Sequence, residues 1–134
     1  VYQSENALHC MQTLNQAAIH FDEIYASRTE FGKPLVVTTL SLGSVIAMTT
    51  KTFGRVAANL GMTDIRMLSP VFGGDTLYSE SEVLDKRPSK SPPGNGLVTV
   101  KTRGTNQHGT VFCEFTRTFL VYLRGHEPYD DAAY

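Results

Sequence analysis

The chain has no tryptophan, two cysteines and no excess of either charge. Cys10 and Cys113 are too few and too far apart for a disulfide framework, and no cysteine–histidine spacing matches a zinc site. A stapled secreted scaffold is therefore excluded, no metal is expected, and both thiols are expected to be reduced. Twelve basic residues stand against thirteen acidic ones, a formal charge of -1, which gives no reason to invoke a nucleic-acid or anionic-membrane partner. No stretch reaches the roughly 18 apolar residues of a membrane span, and the first residues lack a charged segment followed by an apolar signal core. The tail Ala132-Ala133-Tyr134 matches no address signal. The expected location is cytoplasmic, with the mitochondrial matrix or the peroxisome as the eukaryotic equivalents. Because the chain starts at Val1 rather than methionine, some N-terminal sequence is expected to have been removed or left uncounted.

What is present is enough for one core. At 134 residues with 41% hydrophobic residues, the chain is read as a single domain spanning residues 1–134. Its organisation is helices first and strands afterwards, an α+β class. Ala7, Leu8, Met11 and Leu14 recur at helical spacing, so Ser4 to Leu14 reads as a helix. Asp22 with Glu23 behind it suits the positive end of a short second helix through Ala26. Between the two lies the loop Asn15 to His20.

Pro34 marks a helix start, and Val36 to Phe53 contains no proline, one glycine and apolar residues around its whole circumference. Its many β-branched residues favour strand, but eighteen residues without a turn signal exceed a usual strand, so length decides for a buried helix. From Arg55 onward the pattern changes to period two. Met62 to Leu68 and Thr76 to Lys86 read as strands separated by turns at Ser69-Pro70 and Gly73-Gly74-Asp75. After a Pro/Ser/Gly loop from Pro88 to Gly96, Leu97 to Arg103 and Thr110 to Leu123 form a hairpin around Asn106-Gln107-His108-Gly109. One buried helix followed by an antiparallel meander has an economical solution, in which the sheet curls around the helix.

Three stretches carry a family resemblance. Asn15-Gln16-Ala17-Ala18-Ile19-His20 matches a signature of the form Asp-x-Asn-Pro-x-His, Phe31-Gly32-Lys33-Pro34-Leu35 matches the segment that opens a central helix, and Pro70 to Leu77 matches a Pro-x-x-x-Gly-Asp-x-Leu run. On these residues the chain resembles the MaoC-like (R)-specific enoyl-CoA hydratases and dehydratases. The runs Asn59 to Asp64 and Lys86 to Ser91 are similar to the branch of mesaconyl-CoA and β-methylmalyl-CoA hydratases. The resemblance implies a hot-dog fold, a long central helix wrapped by a curved antiparallel sheet. It also implies an N-terminal strand that this chain lacks, leaving either a sheet one strand short or a partial sequence.

For function, the resemblance implies addition of water to an α,β-unsaturated acyl thioester or its reversal, carried on coenzyme A or an acyl-carrier protein with no further cofactor. His20 is the expected general acid/base, since imidazole alone titrates near neutrality without perturbation. Asn15 replaces the signature aspartate; an amide orients water but accepts no proton at neutral pH. The backbone N–H of Thr38 is the implied oxyanion contact. Phe31, Gly32 and Val37 are expected to touch substrate, and Lys86, Arg87 and Lys90 the phosphates of coenzyme A, although such a cluster also suits a plain solvated loop. Taken alone, Asn15 also reads as the C-terminal cap of the first helix. His9, His108 and His126 are not candidates. Two alternatives stay open: a hot-dog thioesterase or conjugate-addition enzyme, with Glu30 as the acid nearest the helix start, and a non-catalytic acyl-thioester binding module. The open sheet edges of such a fold suggest a homodimer or higher homo-oligomer.

Overall fold

The computed structural model describes residues 1–128; the tail Ala132-Ala133-Tyr134 lies outside them. Helix α1 (Gln3–Gln12) starts where the Glu5 carboxylate accepts the Tyr2 N–H at 2.7 Å. It ends with Thr13 as the C-cap and with Leu14, at φ 56°, in the left-handed region. Thus Thr13, not Asn15, is the cap, and the Asn15 N–H bonds back to Cys10 O at 2.9 Å. A 3-10 turn (Ala18–His20) leads to α2 (Glu23–Ser27), whose N-cap Asp22 accepts the Tyr25 N–H at 2.9 Å, as its sequence predicts.

Helix α3 (Thr38–Met48) is shorter than the stretch read from the sequence. Residues 34–37 stay outside the helix because other segments claim their amides: Leu35 N–H goes to Ile19 O at 3.0 Å, Val36 N–H to Val71 O at 2.8 Å, and Val37 N–H to the Asn6 side chain at 2.8 Å. At the other end the hydroxyls of Thr49 and Thr50 bond back to the carbonyls of Ile46 and Ala47, tightening the chain into a 3-10 turn (Thr49–Lys51). The expected all-round burial also fails. Ser41 and Val45 are buried, whereas Gly43, Ala47 and Met48 are exposed, because the sheet covers only one side of the helix.

Four strands follow: β1 (Val56–Met67), β2 (Leu77–Pro88), β3 (Asn95–Asn106) and β4 (Val111–Tyr122), all antiparallel in the order β1-β4-β3-β2. Strand β1 begins six residues earlier than the sequence pattern indicates, since register shifts between Val56/Ala58 and Asn59/Gly61 break the alternation there. The β3–β4 hairpin forms as expected; Asn106 Oδ1 accepts the N–H groups of His108 and Thr110, and Gly109 takes φ 76°.

Alternate residues of β3 and β4 face α3. Val100, Thr102 and Gly104 pair with Arg117, Phe115 and Cys113, and Val45 of the helix packs with Val36, Val71, Phe112, Cys113 and Phe115 into the core. Helix and sheet touch at Gly104, where a Cβ would lie 2.6 Å from both Val45 Cγ2 and Phe112 Cζ. This is the α+β hot-dog arrangement expected from the sequence. Among the described residues no helix is long and apolar enough to cross a membrane.

Candidate active site

Three segments converge at the N-terminal end of α3. Leu35 to Val37 runs between the His20 turn, through Leu35 N–H to Ile19 O, and the loop after β1, through Val36 N–H to Val71 O. They enclose a cavity of about 310 Å³ lined by His20, Phe31, Leu35, Thr38, Ser41 and the Met67–Val71 segment.

The histidine ring is held by one bond with a chemical consequence. Nδ1 of His20 lies 3.0 Å from the carbonyl oxygen of Leu35. A carbonyl only accepts, so Nδ1 carries the hydrogen, and the neutral ring presents Nε2 as a lone-pair acceptor with no protein partner among the described residues. That is the form a general base requires.

The N-terminus of α3 lines the same cavity through Thr38. The N–H of Val37 is taken by Asn6, and those of Leu40 and Ser41 by Val37 O, which leaves the N–H groups of Thr38 and Thr39 without a protein acceptor among the described residues. Free N–H groups at a helix start, with the dipole behind them, suit a developing oxyanion. Together the cavity offers a proton acceptor, an anion cradle and an apolar floor.

The sequence-predicted residues divide between two places. His20, Phe31 and Thr38 line this cavity. Val37 is 4% exposed and contributes to the wall only through its neighbours Val36 and Thr38. Gly32, at φ 70°, serves a turn closed by its N–H on Thr29 O. Asn15 lies elsewhere: it lines a second cavity of about 460 Å³ with Cys10, Met11, Leu14 and Phe21, and its Oδ1 accepts the Ala17 N–H at 3.0 Å. In this geometry its Oδ1 shapes the loop, and the side chain lines this second cavity rather than the one His20 lines.

Lys86, Arg87 and Lys90 are also away from the site. Met67 at the cavity is level with Cys113, Gly104 and Ser79, whereas Lys86 is level with Val98, Phe119 and Asn59. Roughly 20 Å of extended strand separates the two levels within one chain. Nor does Glu30 line the His20 cavity; its side chain is exposed.

Sequence reasoning missed the polar face of α1. Gln3, Asn6 and His9 recur every three residues and bond the segments around the cavity: Gln3 Nε2 donates to His20 O at 2.8 Å, Asn6 bridges both walls, and His9 Nε2 lies 2.9 Å from Thr39 Oγ1. Their i, i+3, i+6 spacing along one face of the helix was the available signal. A leucine carbonyl, by contrast, leaves none.

Away from the site, burial pushes the Cys10 and Cys113 thiols up, the latter partly opposed by a hydrogen bond from the Gly104 backbone. Burial likewise lowers the Arg117 guanidinium, which lies over Phe119 and donates from Nη2 to Thr49 Oγ1 at 2.9 Å, near the negative end of α3.

Known proteins share this architecture. The MaoC-like domain matches residues 1–106. The chain is 34% identical over 128 residues to mesaconyl-CoA hydratase of Cereibacter sphaeroides, covering 92% of this chain and 33% of that protein, so it spans a third of that relative's length. Among solved structures it is similar to the monoamine oxidase regulatory protein of Archaeoglobus fulgius (28% identity, TM-score 0.81, 91% of this chain and 82% of that one). It is also similar to the unliganded R-hydratase of Pseudomonas aeruginosa (27% identity, TM-score 0.72, 91% and 75%). With the match extending over most of its length and the same helix-on-sheet fold, the chain belongs to the MaoC-like domain family.

Proposed function

We propose that this domain adds water to an α,β-unsaturated acyl thioester, or removes it from the 3-hydroxyacyl thioester. One observation carries the reading: a histidine held as an Nε2 acceptor lines one cavity with Thr38, the first residue of α3, whose N–H has no protein acceptor among the described residues. The names hydratase and R-hydratase borne by similar proteins support it.

In the hydration direction, Nε2 of His20 takes a proton from water as the water oxygen bonds to the β-carbon. The electrons of the double bond pass to the α-carbon and thioester carbonyl, and the enolate oxygen is held by the N–H of Thr38 at the start of α3. The imidazolium then returns its proton to the α-carbon. Both hydrogens and the oxygen of the water end in the product, so the chemistry calls for no electron carrier and no further cofactor. Dehydration is the same sequence reversed. The acyl group is carried on coenzyme A or an acyl-carrier protein, and a second copy pairs on the exposed β1 edge, where Leu60 and Ile65 are open to solvent.

A second reading, a non-catalytic acyl-thioester binding module, is favoured by the amide of Asn15 standing outside the His20 cavity. Thioester hydrolysis has no such support, given where Glu30 lies. Incubation with crotonyl-CoA, mesaconyl-CoA and butyryl-CoA separates the three. Loss of the enoyl absorbance with no free thiol is the expected result; free thiol from butyryl-CoA, or binding without turnover, contradicts it.

A further inference from the structure

The side chain of Asn6 is 0% exposed and joins both walls of the cavity. Its Nδ2 donates to His20 O and to Leu35 O, each at 2.8 Å, while its Oδ1 accepts the Val37 N–H at 2.8 Å. All three partners belong to the reacting machinery or abut it. Leu35 O is the acceptor that keeps the hydrogen of His20 on Nδ1, and Val37 is the residue before the helix start.

We infer that Asn6 is a positioning residue that sets the distance and orientation of the His20 ring relative to the free N–H groups of α3, and holds the ring in its Nδ1–H form. The inference rests on the reading of His20 as acid/base. Its physical content is that one planar amide has three fixed directions. Two donors and one acceptor on a single rigid group tie the His20 turn, the Leu35 carbonyl and the Val37 amide into one body, whereas an aliphatic residue in this core position would leave each to find its own place. The site then keeps a near-attack arrangement without spending substrate binding energy on ordering it. Gln3 shares only the bond to His20 O and touches neither Leu35 nor Val37 among the described residues.

The test combines histidine ¹⁵N NMR, which reads which ring nitrogen carries hydrogen, with kcat and KM for crotonyl-CoA, on the wild type, Asn6→Ala and the isosteric Asn6→Asp. The wild-type His20 signal is expected to report hydrogen on Nδ1. In both variants the Nε2–H form gains population and kcat falls about 10²-fold, the scale of a misplacement near 1 Å, while KM stays within about threefold. A folded variant that keeps the wild-type tautomer and kcat overturns the inference, as does a loss seen in KM alone. Should neither variant fold, the wild-type spectrum decides: hydrogen on Nε2 overturns it, and hydrogen on Nδ1 with slowly exchanging Asn6 amide hydrogens supports it. If the tautomer responds as stated but the wild type turns over no enoyl thioester, the positioning role stands and the hydratase reading falls. If the wild type turns over enoyl thioester but the tautomer does not respond, the hydratase reading stands and the positioning role falls.

Discussion

The Nδ1 atom of His20 sits 3.0 Å from the carbonyl oxygen of Leu35, fifteen residues further along the chain. A backbone carbonyl in this role differs from a carboxylate partner: it orients the ring and selects the tautomer without adding a charge that would stabilise the imidazolium. The residues that line the cavity with His20 are mostly apolar, so the ring stands beside Phe31, Val36 and Val71 rather than beside an acid.

The strand register makes the Lys86 cluster dispensable within one chain. Replacing Lys86, Arg87 and Lys90 together by alanine is expected to leave KM for crotonyl-CoA within about twofold, since exposed charges beyond a Debye length of roughly 8 Å are largely screened. A rise of tenfold or more in steady-state assays would show that these cations reach the substrate, through a second copy of the chain.

At Gly104, adding a methyl group forces a contact that three buried side chains cannot all relieve, with Cys113 Sγ at 2.9 Å beside Val45 and Phe112. Gly104→Ala is expected to lower stability by about 1–3 kcal/mol through overpacking. The denaturation midpoint checks this; an unchanged midpoint would mean that α3 is not seated on β3 as described.

The two thiols are expected to resist alkylation in the native protein. Cys10 is 1% and Cys113 0% exposed, and burial raises both, which suppresses the reactive thiolate at neutral pH. Iodoacetamide should modify them only after denaturant is added. Rapid labelling of either in the folded state would contradict the packing of α1 or of β4.

Arg117 tests the cost of a buried cation. Among the described residues it has no carboxylate within ion-pair distance, and its Nε has no hydrogen-bond partner. Arg117→Met is expected to be neutral or to stabilise by up to about 2 kcal/mol, because Thr49 keeps its own bond to Ile46 O and the desolvation cost disappears. A loss exceeding about 2 kcal/mol on chemical denaturation would show that the guanidinium is needed at the end of α3.

Some of this was legible in the residues and some was not. Asp22 announced α2 as a cap, Asn106 to Gly109 announced the hairpin, and the change from helical to alternating periodicity near Arg55 placed the sheet after the helix. The start of α3 was not legible, because it is decided by distant acceptors, Asn6 Oδ1 and Val71 O, that hold Val36 and Val37 extended. The first half of β1 was hidden by bulges that scramble its alternation. At the site, the flanks of His20 singled it out and Thr38 lay where the resemblance implied, yet the Leu35 carbonyl that holds the ring belongs to the backbone. Nor did the place of Asn15 in the signature announce the turn in which its Oδ1 accepts the Ala17 N–H.

The most direct measurement is the rate at which the enoyl absorbance of crotonyl-CoA disappears with the wild-type domain and with His20→Ala, at equal concentration and with folding verified by circular dichroism. Loss of the acid/base group should slow turnover by about 10²–10⁴-fold. A His20→Ala protein that stays within threefold of wild type would contradict the account.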